Sequence, residues 1–238
     1  AVLFLLYRFR KSNFERLEAL KTKLAADLHD NVGAGLTEIS ILSELAATKQ
    51  DDKEKQNEYL QTISQNARHL IDGMSDIVFV VNPSRDTLFD LISKLKDSYS
   101  DFLSNVGISF KSTSVEELQS VRLPMEVKQN IYLIFKEGLN NAIKHSECQR
   151  ITLNVEREGG YLILRLTDDG KGFSSKKEIS GNGLKNMETR ARQIDAKIEI
   201  NTSPYGTNIV LTAPIEPNSF FVTLKKKINE LKKKLIND

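Results

Sequence analysis

The chain has 238 residues, which is enough for one large domain or two small ones with a buried core. Its 34 lysine and arginine residues nearly balance its 32 aspartate and glutamate residues, so the overall charge gives no indication of a nucleic-acid partner. The single cysteine, Cys148, excludes an intramolecular disulfide and fits a reducing compartment.

Residues 1–10 carry a short apolar run, Ala1 to Tyr7, followed at once by basic residues. Such a run is too short to cross a bilayer, which needs about 20 apolar residues. Basic residues, however, gather at the cytoplasmic end of transmembrane helices. We therefore expect residues 1–10 to be the end of a transmembrane helix whose remainder lies upstream. The alternative is the start of an ordinary buried helix.

Residues 11–82 have the pattern of a helical hairpin. Over residues 14–46, apolar residues recur every three or four positions, as they do on one face of an α-helix. A polar stretch at 48–56 separates this stripe from a second one, which Pro83 ends because proline cannot continue a helix interior. A hairpin alone buries little surface, so we expect two copies to form a dimeric four-helix bundle.

Residues 84–214 predict an α+β domain. A helix over residues 88–102 precedes a short strand near Phe110, and Pro124 then opens another helix. Alternating apolar residues predict four further strands, around Leu153, Leu164, Ile200 and Ile209. Helices interleaved with mainly antiparallel strands indicate one sheet backed by helices.

Residues 215–238 form a separate basic tail. Apolar residues three or four apart, from Phe221 to Leu235, alternate with lysine runs and predict an amphipathic helix. Two heptads are too few for a coiled coil. The tail is expected either to lie on an anionic membrane surface or to pack, solvated, on its own domain.

The first candidate for chemistry is His29, with Asp30 beside it. His29 follows a residue of the apolar stripe, so its imidazole is expected at the edge of the bundle, facing water. Asp30 could accept a proton from one ring nitrogen and leave the other free to attack. A lone His-Asp pair is also typical of a surface histidine that has no chemical role. His69, on the second helix, has no adjacent acid and is the weaker candidate.

The second candidate is a polar face on the helix that follows Pro124. Glu137, Asn141 and Lys144 are spaced four and three residues apart, so on an α-helix they share a face. Carboxylate and amide oxygens suit Mg²⁺, and a lysine suits phosphate. An ordinary solvated face would give the same pattern.

Two glycine-rich segments complete the set. Asp168 ends a strand that runs into Gly170 and Gly172. A carboxylate there could accept a hydrogen bond from the adenine amine, and glycines let the backbone approach a ligand closely. The Gly-Asn-Gly-Leu motif at 181–184 precedes a helix whose first N–H groups could bind phosphate. The sequence has neither a P-loop motif nor a completed Rossmann glycine motif, which disfavours both of those nucleotide-binding classes.

In order and spacing, these segments resemble the phosphoacceptor, N, G1 and G2 boxes of two-component sensor histidine kinases, over about residues 14–213. They are most similar to the subgroup with His-Asp in the phosphoacceptor helix, which includes nitrate sensors and the membrane-fluidity thermosensor. The resemblance implies a dimerisation and phosphotransfer hairpin followed by an α/β-sandwich ATP-binding domain of the Bergerat fold.

The resemblance also implies cofactors, partners and a location. The cofactors would be ATP and Mg²⁺, and the partners a second copy of the chain and a response-regulator protein, with no direct contact to nucleic acid. The protein would sit in the bacterial cell membrane through an upstream transmembrane segment, with this portion in the cytoplasm.

Individual residues take roles from the same resemblance. His29 would be the phosphoacceptor, Asp30 its orienting base, and Glu137 would act near the metal-bound water. Asn141 would be the Mg²⁺ ligand. The other residues would contact the nucleotide: Lys144 and His145 at the phosphates or ribose, Asp168 at adenine, Gly170 and Gly172 in the pocket, Gly181, Gly183 and Leu184 at the ATP lid, and Thr207 through water beside Asp168.

One position departs from the subgroup pattern. The phosphoacceptor helix there commonly has Gln or His five positions after the histidine, where this chain has Ala34. Alanine cannot orient the water that dephosphorylates the partner, so kinase chemistry is expected without phosphatase activity by that route. The remaining alternatives are a Bergerat-type ATPase or protein-serine kinase, which needs no His-Asp pair, and a non-catalytic dimeric scaffold.

Overall fold

The computed structural model describes residues 2–48, 52–112, 116–172 and 183–215. The chain divides into two compact units, Ala1–Ser84 and Arg85–Asp238. Apart from residue 215, the predicted basic tail lies outside the described residues.

The first unit is a hairpin of two long helices, as the sequence predicts. Helix α1 spans Val2–Thr48 and helix α2 spans Lys53–Val81. Asp52 caps the start of α2, because its carboxylate accepts a hydrogen bond from the backbone N–H of Lys55. Among the described helices, none combines the length and apolar character needed to span a lipid bilayer.

The two helices pack antiparallel. Near the connection, the Gln56 side-chain amide donates a hydrogen bond to the Ala46 carbonyl at 3.2 Å. Further along, a Cβ atom placed on Gly35 would lie 2.6 Å from the side chain of Leu70. The absence of a side chain at Gly35 therefore lets the helices approach closely.

An apolar stripe on α2 is exposed in the single chain. Its members are Leu60, Ile71, Met74 and Val78, which are between 44% and 65% exposed. Their spacing places them on one face of the helix. Burying such a side chain contributes roughly 1.5–3 kcal/mol, so this α2 stripe is suited to contact a second apolar surface.

The second unit is a five-stranded sheet covered on one face by helices, which is the predicted sandwich. Its strand order is β1-β2-β3-β5-β4; β1 pairs with β2 in parallel, and the remaining pairs are antiparallel. The elements are α3 (Leu88–Asn105), β1 (Ser109–Ser112), a 3-10 turn (Glu116–Ser120), α4 (Met125–Asn141), a π-helical turn (Ala142–Ser146), β2 (Arg150–Glu158), β3 (Tyr161–Asp168), α5 (Gly183–Gln193), β4 (Lys197–Ser203) and β5 (Gly206–Pro214).

The core of this unit lies between the sheet and α4. Leu162, Leu164 and Leu166 alternate along β3 and are buried on the helix side. A Cβ atom on Gly138 of α4 would lie 2.8 Å from the Leu166 side chain and 2.9 Å from that of Ile209 on β5. This glycine therefore allows α4 to sit directly on the central strands.

The end of α4 departs from the sequence prediction. The polar face was expected on one continuous α-helix, but α4 ends at Asn141 and the chain continues as the π-helical turn. A π-helix has more residues per turn than an α-helix, so Lys144 does not keep the angular position that the α-helical spacing gives it. Glu137 and Asn141 share a face of α4, and Lys144 lies in the π-helical turn that follows.

Candidate functional site

The carboxylate of Asp168 lies at the end of β3 and is buried, with 7% of the residue exposed. It accepts a hydrogen bond from the backbone N–H of Gly170 at 3.0 Å. The backbone N–H and the hydroxyl of Thr207, on β5, also donate to it. Burial raises the pKa of Asp168 above its usual value, and the three donors offset part of that rise. The carboxylate is therefore held in one orientation by both neighbouring segments.

Three glycines bring backbone atoms unusually close around this carboxylate. A Cβ atom would lie 2.2 Å from the Ser146 carbonyl oxygen at Gly170, and 2.1 Å from the Ser203 carbonyl oxygen at Gly172. At Gly206 it would lie 2.0 Å from the carbonyl oxygen of the aspartate itself. Gly172 and Gly206 also have φ angles of +62° and +132°, which side chains rarely tolerate. No larger residue fits at any of these positions without movement of the backbone.

The loop after β3 is fixed on its other side by Asp169. The Asp169 carboxylate accepts hydrogen bonds from the backbone N–H groups of Gln149 and Arg150 at 2.9 and 2.8 Å. A slight loss of hydration acts to raise the pKa of Asp169, but these donors outweigh it and hold the pKa below its usual value. The Lys171 N–H donates to the Ser146 carbonyl at 2.8 Å. These hydrogen bonds tie the first residues of the loop to the start of β2 and to the π-helical turn.

A cavity of about 210 Å³ opens beside this carboxylate, where β3 and β4 end and β5 begins. Tyr205 lies at the edge of the cavity, at the tip of the β4–β5 hairpin, and is 87% exposed. The lining residues are Thr167, Asp168, Asn201, Thr202, Ser203, Tyr205, Gly206, Thr207 and Asn208. Several of these lining residues carry hydroxyl or amide groups that can form hydrogen bonds.

A second cluster joins α4 to the start of α5. Glu137 and Asn141 lie one turn apart on α4 and are both half-buried. A Cβ atom on Gly183 would lie 2.2 Å from Oε1 of Glu137, so the carboxylate touches the first residue of α5. Burial lowers the pKa of Arg190, and the nearby charge of Glu137 raises it in part. The Glu137 carboxylate therefore lies against the start of α5, one helical turn from Asn141 on α4.

The structure brings some predicted residues together and leaves others apart. Asp168, Gly170, Gly172 and Thr207 form one site, and Glu137, Asn141 and Gly183 belong to the second cluster. Lys144 and His145 are exposed in the π-helical turn, and Leu184 is half-buried in the first turn of α5. His29 lies in α1 beside the exposed Asp30, but its side chain, like Gly181, is outside the described residues.

Sequence reasoning did not single out Arg190 as a site residue. It stands seven positions after Gly183, which on an α-helix is the same face two turns later. This spacing could have placed Arg190 on the same face as Gly183. It points to the site only once the structure shows that Glu137 contacts Gly183.

The glycine-lined carboxylate site and the antiparallel strands β2 to β5 lie in a segment that matches a known class of domain. Residues 126–217 match the family model described as histidine kinase-, DNA gyrase B- and HSP90-like ATPase. Residues 21–86 match the family model described as histidine kinase. The chain therefore carries an ATPase-type domain that follows a histidine-kinase-type hairpin in the sequence, and it belongs to the histidine kinases.

Individual relatives agree with this membership. Sensor protein VraS of Staphylococcus aureus (strain COL) is 29% identical over 203 residues, which is 84% of this chain and 56% of the relative. The chain thus spans little more than half the length of that relative.

Solved structures show the same fold. The histidine kinase domain of the Erythrobacter litoralis EL346 blue-light activated histidine kinase has a TM-score of 0.53 at 14% identity, covering 76% of this chain and 96% of that one. Acinetobacter baumannii histidine kinase AdeS has a TM-score of 0.51 at 14% identity, covering 79% and 98%. The prediction of a helical N-terminal region followed by a Bergerat-type sandwich is confirmed.

Proposed function

We propose that this chain is a protein histidine kinase of a two-component system. It transfers the γ-phosphoryl group of ATP to His29 and then to an aspartate of a response-regulator protein. The observation that carries the proposal is the buried Asp168 carboxylate, oriented by Thr207 and Gly170, in a chain whose separate hairpin places His29 beside Asp30.

The first role is adenine recognition, which we assign to Asp168. Its ionised carboxylate accepts a hydrogen bond from the exocyclic amine, and the fixed donors from Thr207 and Gly170 keep it oriented before the nucleotide arrives. Gly170 and Gly172 allow the backbone to approach the ligand, because no side chain stands in the way.

The second role is binding of the phosphates and of Mg²⁺. Within the described ranges, no group of three or more His, Cys, Asp and Glu residues could hold a metal ion. Magnesium in such sites commonly takes one or two protein ligands and completes its shell with phosphate oxygens and water, which neutralises phosphate charge. We assign Asn141 as the protein ligand and Glu137 to the metal-bound water. Lys144 and His145 would reach the phosphates or ribose from their exposed positions.

The chemical step is an in-line attack by one imidazole nitrogen of His29 on the γ-phosphorus. The nitrogen–phosphorus bond forms as the bond from phosphorus to the β,γ-bridging oxygen breaks, and ADP leaves. Asp30, exposed on α1, accepts the proton of the other ring nitrogen or hydrogen-bonds to it, which sets the tautomer. Positioning and charge neutralisation supply the catalysis, as in other phosphoryl transfers.

Transfer between separate units requires a hinge, which we place at residues 82–84. Asn82 ends α2 with an extended backbone, and its side chain accepts a hydrogen bond from the Ser84 N–H at 2.9 Å. From Arg85 onward the chain is tied to the second unit, because the buried Lys128 ammonium donates to the Arg85 carbonyl at 2.9 Å. Movement is therefore easiest before Arg85.

We propose a homodimer as the working form, because the exposed α2 stripe would be covered by a second hairpin in a four-helix bundle. We also propose that the protein acts at the bacterial cell membrane through a segment upstream of Ala1, with this portion in the cytoplasm. The apolar start followed by basic residues supports that location. Expressing the gene with its upstream sequence and fractionating the cells tests it, and recovery in the soluble fraction would contradict it.

The direct test is incubation with γ-labelled ATP, followed by acid and base treatment and mapping of the labelled residue. We expect an acid-labile, base-stable label on His29, lost in His29→Gln, whereas the matched variant His69→Gln keeps it. Nucleotide binding should be the same in both variants, because neither residue lies in the ATP-binding unit.

The other outcomes distinguish the alternatives. An acid-stable label would identify a protein-serine kinase, and ATP hydrolysis without any label an ATPase of the same fold. Absence of nucleotide binding would identify a scaffold. Release of phosphate from the phosphorylated partner is expected to be slow, because Ala34 cannot position water.

A further inference from the structure

Tyr99 brings a hydroxyl group to a face of α3 whose buried residues are apolar. Leu95 and Leu103, one turn before and one turn after it, are 0% and 1% exposed, and Leu88 and Ile92 continue the same face. Tyr99 itself is half-buried. A tyrosine hydroxyl that leaves water usually needs a hydrogen-bond partner, so the partner indicates why a tyrosine stands at this position.

The partner lies in the last turn of α4. The Tyr99 hydroxyl donates a hydrogen bond to Oδ1 of Asn140 at 2.8 Å. It also lies 3.5 Å from the backbone carbonyl oxygen of Lys136, which is one turn earlier on α4. Tyr99 and Asn140 are 41 residues apart in the chain, so this contact depends on the packing of α3 against α4. The hydroxyl therefore ties the final turn of α4 to α3.

The backbone changes its geometry directly after this turn. Helix α4 ends at Asn141, and Ala142–Ser146 follow as the π-helical turn. The far end of that turn is held by the loop after β3, because the Ser146 carbonyl accepts a hydrogen bond from the Lys171 N–H at 2.8 Å. The hydrogen bond from Tyr99 holds the near end. Asn141 therefore stands between two tertiary contacts that together fix the local backbone.

Tyr99 and Asn141 are on different sides of α4. Successive residues of an α-helix are about 100° apart, so Asn140 can face α3 while Asn141 shares a face with Glu137. The Glu137 carboxylate on that face lies against the start of α5. An effect of the Tyr99 hydroxyl on Asn141 must therefore pass through the backbone of α4.

We propose that Tyr99 is a positioning residue for Mg²⁺-ATP. Its hydrogen bond to Asn140 fixes the last turn of α4 and with it the direction of the Asn141 side chain. Mg²⁺ demands near-ideal octahedral geometry, and a ligand must be held within about 0.5 Å of its productive place. A small shift of the helix end is therefore enough to weaken metal binding. This inference rests on the proposed function, since it depends on Asn141 as the Mg²⁺ ligand.

Tyr99→Phe removes the hydroxyl and keeps the ring. Calorimetric titration with a non-hydrolysable ATP analogue at a series of Mg²⁺ concentrations gives the Mg²⁺ requirement for binding. We expect the half-saturating Mg²⁺ concentration to rise by about three- to tenfold. Affinity for adenosine, which has no phosphate and needs no metal, should be unchanged because Asp168 and its donors are untouched. Tyr161→Phe, at the opposite end of β3 from Asp168, is the matched control and should behave like the parent.

A double-mutant cycle with Asn140→Leu identifies the partner, because leucine lacks the acceptor oxygen. Tyr99→Phe should change the Mg²⁺ requirement of the Asn140→Leu variant by less than twofold. The midpoints of urea unfolding, measured without nucleotide or Mg²⁺, should show the same coupling. Multiplied effects on the Mg²⁺ requirement, additive midpoints, or an unchanged requirement in Tyr99→Phe would each overturn the inference. An equal loss of adenosine affinity would also overturn it, because it would show a general structural role.

The failure of this inference can be distinguished from failure of the proposed function. If the parent makes no phosphohistidine, the proposed function fails, while a Mg²⁺ requirement that depends on Tyr99 still supports the positioning role. If the parent is labelled on His29 and Tyr99→Phe needs no additional Mg²⁺, the kinase assignment stands and the role of Tyr99 is refuted. Nucleotide binding by the parent that does not depend on Mg²⁺ would refute both Asn141 as the ligand and this inference.

Discussion

Replacing Thr207 by valine removes a single hydroxyl group that donates a hydrogen bond to the Asp168 carboxylate. Valine keeps the shape of threonine but lacks the hydroxyl, so the Asp168 carboxylate loses one donor and keeps the backbone N–H groups of residue 207 and Gly170. A hydrogen bond to a charged group contributes roughly 1.5–3 kcal/mol, and little water can replace it at a buried carboxylate. We expect Thr207→Val to lower the free energy of unfolding of the second unit by about 2 kcal/mol near neutral pH.

The pH dependence of this effect follows from the direction of the Asp168 pKa. Burial raises that pKa in the folded state, so folding favours the protonated carboxyl. Its contribution to stability is complete below the pKa of the unfolded chain and is lost as the pH rises through the folded pKa. Thr207→Val raises the folded pKa further, because a donor to the ionised form is gone. In Thr207→Val, the loss of stability with rising pH therefore continues to a higher pH than in the parent.

Nucleotide affinity has the opposite dependence, because the adenine amine needs the ionised carboxylate. Affinity should fall as the pH decreases through the Asp168 pKa, and the fall should begin at a higher pH in Thr207→Val. Calorimetric titration with a non-hydrolysable ATP analogue between about pH 5 and pH 8, alongside urea unfolding, measures both quantities. Thr207→Ser keeps the hydroxyl and should behave like the parent. Equal affinity of parent and Thr207→Val at every pH would refute the assignment of Thr207 to Asp168.

Three further predictions concern the loop, the linker and the α2 stripe. Gly170→Ala should lower the free energy of unfolding by about 2–4 kcal/mol, because its Cβ would lie 2.2 Å from the Ser146 carbonyl oxygen; an unchanged urea midpoint would contradict this. Lys128→Met should speed tryptic cleavage after Arg85, because it removes the ammonium that donates a hydrogen bond to the Arg85 carbonyl at 2.9 Å. An unchanged digestion rate would show that this hydrogen bond does not restrain the linker. Val78→Glu, at a position 65% exposed in the single chain, should keep the helical content but shift the light-scattering mass from dimer to monomer; a persistent dimer would place the interface elsewhere.

The hairpin and the strands could be predicted from the sequence because their signals are local. Apolar residues every three or four positions define α1 and α2, and Pro83 marks the end of the second helix. Alternation along β3 and β5 likewise predicts strands with one buried face. In each case the periodicity is set by the element itself and not by its partners.

The pairing of Asp168 with Thr207 is not a local property. The two residues meet because β3 and β5 pair antiparallel with Thr167 opposite Asn208. A shift of one residue in that register would turn Thr207 to the other face of the sheet. Spacing along the chain does not specify register, so only the resemblance to a family could place Thr207 beside Asp168.

The π-helical turn has a tertiary cause that the sequence alone does not show. The segment Ala142–Ser146 continues the helical composition of α4. At its end, however, the Ser146 carbonyl accepts a hydrogen bond from Lys171, and Gly170 approaches so closely that no Cβ would fit. The loop from β3 therefore fixes where this carbonyl points, and the helix adjusts.

The burial of Lys128 and the partial burial of Arg190 could not be predicted from the hydrophobic pattern, because that pattern assigns charged residues to the surface. Each is stabilised by acidic groups distant in sequence, which are Asp86 and Asp90 for Lys128 and Glu137 for Arg190. Lys128 and Glu137 both belong to α4, a single helix of 17 residues. One rigid element thus carries the anchor of the linker and the contact with α5. Because α4 is one continuous helix, these two contacts are held at a fixed separation along it.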